Sequence, residues 1–252
     1  MLAVTQFDGP ANHPPCLIAH GLFGSARNWG YIAKKLSKTR PIIAVDMRNH
    51  GKSPHLPTNS YPDLAADLAD VLAKQEQPWD VIGHSMGGKA AMVLALHYPD
   101  LVRKLIVADI APVAYSHSQL PMINAMLTVD MSKIARRSDA AAALADQGLE
   151  PALQSFFTQS LDVAAQKWLF NLQVLADEMP KIMAFPDISG QFDKPTLFLT
   201  GAASDYVQPA HRPVIKKLFP KARFAKLNEA GHWLHADQPN AFLEAVDVFL
   251  SR

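Results

Sequence analysis

Residues 83–87 read Gly-His-Ser-Met-Gly, and the central Ser85 has the setting of a nucleophile. An apolar run at 79–82 precedes the motif, and a segment rich in Ala, Leu and Met follows it at 89–98. A strand, a sharp turn and a helix around G-x-S-x-G form the pattern of a nucleophile elbow. Glycines two residues to either side of the serine remove Cβ atoms that would collide with the neighbouring strand and helix. The chemistry indicated is attack of a serine hydroxyl on a carbonyl carbon.

A serine hydroxyl is a weak nucleophile and needs a base beside it and an acid that orients the base. The candidate base is His232, which follows a glycine after the last strand-like run, with His235 as the fallback. Two aspartates qualify as the acid, because Asp109 and Asp205 each come after an apolar strand-like run. The chain order Ser, Asp, His fits both of them, so this order leaves the acid open.

Such chemistry also needs preorganised N–H donors for the oxyanion that forms on the carbonyl oxygen. The N–H of Met86 is one candidate, because this residue directly follows Ser85 at the predicted start of a helix. The second candidate is the N–H of Leu22, within a His-Gly-Leu-Phe-Gly loop at 20–24. Phe23 flanks that donor and Trp233 lies beside the candidate base, so we expect both side chains to line the substrate pocket.

The elements that must position these residues alternate between strand and helix along most of the chain. Predicted strands lie at 2–7, 16–19, 42–45, 79–82, 104–108, 196–200 and 223–227. Predicted helices lie at about 29–36, 64–72, 89–98, 209–219 and 239–250. Such alternation favours a mostly parallel sheet with helices on both faces, and ligands of such sheets bind at the carboxyl ends of the strands. The candidate site residues all follow predicted strands and should therefore meet at this edge.

The middle of the chain breaks this alternation. Between 113 and 189 only helix-like segments are found, at 120–126, 138–147, 151–159 and 163–178. The sequence therefore predicts a core domain formed by 1–112 and 191–252, with a helical cap inserted at 113–190. Some of the large apolar residues of this insertion are expected to wall an acyl pocket. They are Met122, Met126, Phe156, Phe157, Trp168, Phe170, Met179, Met183 and Phe185.

Composition excludes several classes of function. The 252 residues include 24 Lys and Arg against 23 Asp and Glu, so no charge excess favours nucleic acid or an anionic membrane surface. The single cysteine, Cys16, excludes an internal disulfide and a metal site built from several thiolates. A cationic, apolar leader and a run of about 20 apolar residues are both absent, which predicts a cytoplasmic protein with no membrane partner. The oligomeric state, monomer or homodimer, is left open.

Four stretches taken together resemble the α/β-hydrolase fold over almost the whole chain. They are residues 20–24, 46–53, 83–88 and 231–232. More narrowly, the same stretches resemble the small bacterial acyl esterases related to the abhydrolase-domain-11 proteins. The resemblance implies a serine esterase with a helical cap and no metal or organic cofactor. Its expected substrates are small-molecule acyl esters of short to medium chain length, or acyl thioesters, cleaved through an acyl-serine intermediate.

The resemblance also bears on the choice of acid. In most α/β hydrolases the acid lies three residues after the glycine that ends the penultimate strand. Counted from Gly201 that position is Ser204, and Asp205 comes one residue late. In the esterases that this chain resembles, an aspartate at the place of Asp109 serves as the acid. A carboxylate after four apolar residues also needs a partner if it is buried. We therefore favour Asp109 and keep Asp205 as the alternative.

Two other functions stay open. A C–C bond hydrolase or lyase of the same superfamily would act on an acidic metabolite, and Lys89, just after the elbow, could supply the cation that such a substrate needs. A non-catalytic hydrolase-like binding protein would keep the fold and bind without turnover. Hydrolysis of simple uncharged esters would distinguish the esterase from both. Asp46 and Arg48 are interpreted as residues that brace loops.

Overall fold

A computed structural model of the chain describes residues 1–251 and contains a central seven-stranded sheet. Its strands are β1 (Val4–Phe7), β2 (Cys16–Ala19), β3 (Ile42–Val45), β4 (Trp79–His84), β5 (Val102–Ala108), β8 (Thr196–Gly201) and β9 (Ala222–Leu227). Two further strands, β6 (Leu161–Asp162) and β7 (Lys167–Trp168), pair with each other apart from it. The order in the central sheet is β1-β3-β2-β4-β5-β8-β9, and only β1 runs antiparallel to its neighbour.

The central strands are the apolar runs that the sequence places there. Every residue of β2, β3 and β4 is buried, as expected for a parallel sheet that is covered on both faces. In the register, Ile18 of β2 lies between Ala44 of β3 and Ile82 of β4. The candidate nucleophile strand, β4, is therefore the middle strand of the sheet, and its carboxyl end is surrounded by the ends of its neighbours.

Helices cover both faces of the sheet. They are α1 (Gly30–Leu36), α2 (Tyr61–Leu72), α3 (Met86–His97), α4 (Leu120–Leu127), α5 (Arg137–Asp146), α6 (Pro151–Thr158), α7 (Leu172–Asp177), α8 (Met179–Met183), α9 (Arg212–Leu218), α10 (Leu234–Asp237) and α11 (Pro239–Ser251). One apolar core lies between the sheet and helices α2 and α3, and the other between the sheet and helices α1 and α11. Within residues 1–251, no helix is both long and apolar enough to cross a membrane.

The segment between β5 and β8 differs from the sequence prediction most clearly after α6. A helix was expected at 163–178, whereas the structure has the short β6–β7 hairpin followed by the separate helix α7. The carboxylate of Asp162 accepts a hydrogen bond from the N–H of Ala165 at 3.0 Å, and Gln166 has a left-handed backbone with φ of 49°. A side-chain acceptor at the start of a turn competes with helix formation, which explains the difference.

Candidate active site

The turn after β4 holds Ser85 in a strained conformation, with φ of 52° and ψ of −119°. Helix α3 begins at the next residue. A Cβ on Gly87 would lie 2.4 Å from the carbonyl oxygens of Ala19 and His20, and one on Gly83 would lie 2.3 Å from the carbonyl oxygen of Gly87. Contacts this short involve backbone and cannot be relieved by a side-chain rotation. Both glycines are therefore required by close approach, as the elbow motif predicts.

Left-handed backbone conformations at residues other than glycine concentrate at this edge of the sheet. Five of the six in residues 1–251 follow strands β2, β3, β4, β5 and β9, namely Phe23, Asn49, Ser85, Asp109 and Glu229. Each such residue costs about 1–3 kcal/mol and persists only where the surrounding structure holds it. Strain stored at one edge of the sheet is typical of a functional site.

The carboxyl ends of β4, β5 and β9 bring three predicted residues into contact. The Nε2 atom of His232 lies 3.1 Å from the Oγ of Ser85, and its Nδ1 atom lies 2.8 Å from the Oδ2 of Asp109. Because a carboxylate only accepts, the Nδ1 of His232 must donate. Its Nε2 is then free to accept the hydroxyl proton of Ser85. This geometry is that of a nucleophile, a base and an acid in series.

Asp109 is fully buried and its carboxylate is well supplied with donors. Its Oδ1 accepts from the N–H of Gly201 at 3.1 Å, and its Oδ2 accepts from the hydroxyl of Ser204 as well as from His232. Ser204 thus occupies the position where the resemblance places the usual acid, and it donates to the carboxylate from β5 instead. Asp205 is exposed, and no hydrogen bond joins it to His232 in the described part of the chain.

Two aromatic neighbours hold the candidate base in place. The ring of Tyr206 stacks on His232 with centroids 4.0 Å apart, and the Nε2 of His84 donates to the carbonyl oxygen of His232 at 2.8 Å. Burial lowers the pKa of His84 well below its usual value, and the neighbouring histidines lower it further. The fallback base, His235, stacks on Trp29 at 4.0 Å instead, and no hydrogen bond joins it to the serine within residues 1–251.

The two predicted oxyanion donors lie against the same space. Met86 is the first residue of α3, so its N–H has no acceptor within the helix. In the loop after β2, the N–H of Phe23 donates to His50 and that of Gly24 donates to the carbonyl oxygen of Gly21. Across residues 1–251, no acceptor is found for the N–H of Leu22. Both candidate donors are therefore available to a bound substrate.

A pair of buried histidines, which sequence reasoning missed, braces the loop after β2. His20 donates from Nδ1 to the carbonyl oxygen of Gly21 at 2.7 Å and accepts from the N–H of Met47 at 2.9 Å. His50 accepts from the N–H of Phe23 at 3.2 Å and donates to the carbonyl oxygen of Arg48 at 2.8 Å. One donor and one acceptor per ring require the neutral form. Burial lowers the pKa of His20 to about 4 and that of His50 to about 3.

A cavity of about 260 Å³ borders Ser85 and His232. Both predicted pocket residues lie on its wall. Phe23 packs edge-on against Phe157 with ring centroids 5.3 Å apart, and the ring centroids of Trp233 and Phe156 are 5.7 Å apart. Of the nine large apolar residues singled out in the insertion, four line the cavity, namely Met122, Phe156, Phe157 and Met183. The other five pack into the apolar core or against it. The wall is therefore mostly apolar and comes from both the sheet edge and the insertion.

Comparison with known proteins agrees with this architecture. A sequence model described as the alpha/beta hydrolase family matches residues 16–245. The chain belongs to this family. The hydrolase is 40% identical over 262 residues to the sn-1-specific diacylglycerol lipase ABHD11 of Mus musculus. This alignment covers 99% of this chain and 85% of that protein. It is also 40% identical over 243 residues to the esterase YbfF of Escherichia coli, and this second alignment covers 95% of this chain and 94% of the relative.

A solved structure extends the likeness to three dimensions. The structure described as a marine microorganism esterase superposes on this hydrolase with a TM-score of 0.93 and 35% sequence identity, over 99% of both chains. The relatives and this neighbour are named as esterases or lipases. The protein is therefore a serine-type carboxylic ester hydrolase, which confirms the predicted fold and reaction class.

Proposed function

We propose that the hydrolase cleaves short- to medium-chain acyl esters through an acyl intermediate on Ser85. His232 acts as the base, Asp109 as the acid, and the N–H groups of Leu22 and Met86 form the oxyanion hole. The observation that carries the proposal is the continuous hydrogen-bond series from the serine hydroxyl through the imidazole to a buried carboxylate, at 3.1 and 2.8 Å. The esterase and lipase names of the relatives support ester hydrolysis over C–C bond cleavage or binding alone.

The reaction follows from the proton positions. Nε2 of His232 takes the hydroxyl proton of Ser85 while Oγ forms a bond to the ester carbonyl carbon. The carbonyl oxygen becomes an oxyanion that the N–H groups of Leu22 and Met86 stabilise. Nε2 then returns the proton to the alcohol oxygen as the C–O bond breaks, which leaves the acyl group on Oγ. Water then gives a proton to Nε2 as its oxygen forms a bond to the acyl carbon. Nε2 returns that proton to Oγ as the C–Oγ bond breaks, which releases the carboxylic acid and restores Ser85. Asp109 stays ionised throughout and stabilises the imidazolium.

The size of the cavity supports the proposed length of the acyl chain of the substrate. A volume of about 260 Å³ lies just below the roughly 300–1,000 Å³ that is typical of ligand pockets. An apolar wall of this size suits a short or medium acyl chain better than a long one. Acyl thioesters offer the same carbonyl carbon with a better leaving group, so we include them in the substrate range. We also propose that residues 113–190 act as a cap over the site, and the cytoplasmic location stays a prediction.

The test combines labelling with a substrate series. The purified protein is treated with a fluorophosphonate and assayed on p-nitrophenyl acetate, butyrate, octanoate and palmitate. We expect one labelled site, at Ser85, and the highest kcat/KM with butyrate or octanoate. Ser85→Ala should abolish both labelling and turnover, whereas the exposed Ser155 should tolerate the same change without effect.

The outcomes separate the parts of the proposal. Labelling that persists in Ser85→Ala would place the nucleophile elsewhere. If Ser85 is labelled but palmitate is the best substrate, the proposed acyl chain length is wrong while the proposed nucleophile stands. Butyrate thioester turnover that is undetectable beside ester turnover would remove thioesters from the range.

A further inference from the structure

A buried cation borders the same cavity as the candidate nucleophile. Lys89 lies one turn along α3 from Ser85, and its backbone N–H donates to the serine carbonyl oxygen at 3.0 Å. Its side chain is 1% exposed and lines the cavity. Ser85 and Lys89 both line the cavity, and four residues of helix separate their backbones by a rise of about 6 Å. Nothing in the proposed reaction at Ser85 uses this cation.

The hydrogen bonds of Lys89 leave one donor over. Its ammonium donates to the carbonyl oxygens of Met183 at 3.0 Å and Ala184 at 2.7 Å. An ammonium group has three N–H donors, and the third has no acceptor within residues 1–251. The rings of Tyr61 and Tyr115 flank the ammonium, with Nζ 5.5 and 4.8 Å from their centroids.

Lys89 also lacks a counter-charge. The buried guanidinium groups of Arg40 and Arg48 each contact a carboxylate, at 3.2 Å and 2.6 Å respectively. For Lys89, no carboxylate lies within ion-pair distance in the part of the chain that the structure describes. Burial alone lowers its pKa to about 7. A buried cation without a partner is costly, and an anion that enters the cavity would supply both the missing acceptor and the missing charge.

We propose that Lys89 forms an anion subsite for the acyl part of the substrate. The esterase would then favour half-esters of short dicarboxylic acids, which carry a free carboxylate at the end of the acyl chain. A six-carbon diacid serves as the probe, and in its extended chain, with C–C bonds of about 1.5 Å, the two carboxyl carbons lie roughly 6 Å apart. This inference rests on the proposed function of Ser85 and concerns only which acyl groups it accepts.

The test compares two esters of the same shape. Mono-p-nitrophenyl adipate ends in a carboxylate, and p-nitrophenyl 6-methylheptanoate ends in an uncharged isopropyl group of the same branching. We expect wild type to favour the acidic ester at least tenfold in kcat/KM. Lys89→Met keeps most of the length of the side chain and removes the charge. It should lower the acidic-to-neutral ratio about 10- to 100-fold, the effect of one hydrogen bond to a charged group.

A matched variant separates recognition from packing. Tyr61 also ties α2 to the insertion, because its hydroxyl donates to the carbonyl oxygen of Ile182 at 2.6 Å. Tyr61→Phe removes that bond without touching the charge, so it should change both esters alike and leave the ratio as in wild type. If Lys89→Met does not fold, wild type decides the question by its own preference for the acidic ester.

The possible results distinguish this inference from the proposed function. An unchanged ratio in Lys89→Met would overturn the subsite, and so would a wild-type enzyme that cleaves only the neutral ester. Failure to cleave either ester, together with no fluorophosphonate label on Ser85, would instead overturn the proposed function.

Discussion

The replacement Asp109→Asn tests the proposed site most directly. The carboxylate accepts three hydrogen bonds, from Gly201, Ser204 and His232. An amide has one accepting oxygen and one donating nitrogen. If the oxygen keeps the buried N–H of Gly201, the nitrogen faces Nδ1 of His232, and the ring must move its proton to Nε2. Nε2 then donates towards Ser85 and cannot take the serine proton.

The expected loss follows from this change of tautomer. A base in the wrong tautomer lowers kcat by about 10⁴-fold in a serine hydrolase triad. At about 1.36 kcal/mol for each factor of ten, this corresponds to roughly 5.4 kcal/mol of transition-state stabilisation. The opposite amide orientation preserves the active tautomer but leaves the N–H of Gly201 unpaired, at a cost of about 1–3 kcal/mol. The inactive orientation is therefore favoured.

The assay compares Asp109→Asn with Asp205→Asn on p-nitrophenyl butyrate. Thermal unfolding of each variant confirms that it is folded at the assay temperature. Because Asp205 is exposed and forms no hydrogen bond to His232 within residues 1–251, its variant should keep activity within about twofold of wild type. Activity of Asp109→Asn within tenfold of wild type would refute the reasoning, as would an equal loss in both variants.

Three further predictions concern the structure around the site. Gly87→Ala places a Cβ 2.4 Å from two backbone oxygens and should lower the unfolding free energy by about 1–3 kcal/mol or more. Gly30→Ala, whose Cβ would have no atom within 4 Å, should raise the unfolding free energy by up to about 1 kcal/mol. Urea unfolding measures both variants, and equal effects would contradict the steric argument. His50→Ala removes the acceptor of the Phe23 N–H and should lower kcat by about 10- to 100-fold with little change in KM. A variant in which only KM changes would refute a role for His50 in positioning the oxyanion loop. His20 and His50 have pKa values of about 4 and 3 in the folded chain, so below pH 6.5 the unfolded chain binds protons that the folded chain does not. As the pH falls from 6.5 to about 4, each histidine should therefore lower the unfolding free energy by about 1.4 kcal/mol per pH unit. A flat profile of unfolding free energy against pH over that range would contradict their neutral burial.

Much of the site could be predicted because the edge of a parallel sheet is a simple geometric rule. Ser85, Asp109 and His232 each follow a strand, and strand ends in such a sheet converge whatever their separation along the chain. The apolar strands β2 and β3 were predicted with their observed bounds for the same reason, since a fully buried strand is a short uninterrupted apolar run.

The remainder depends on contacts that no local pattern records. Spacing left Asp109 and Asp205 as alternatives, and only the packing of β5 beside β8 shows which carboxylate reaches the imidazole. The hairpin at β6 and β7 was missed because a few apolar residues fit a helix and a turn equally well. The environment of Lys89 could not be foreseen either, because its two acceptors lie more than ninety residues further along the chain.

The order of the proposed active-site residues along the chain has a consequence for synthesis. Leu22, Ser85 and Asp109 belong to the first half, whereas His232 follows β9, the last strand of the sheet. A ribosome therefore completes the proposed nucleophile and the proposed oxyanion donors long before it makes the proposed base. Under the proposed mechanism, a nascent chain, or one cut short before β9, holds a serine that lacks its base and that an ester does not acylate. Catalytic competence thus arrives in a single late event, and ester turnover reports only molecules whose final strand has docked.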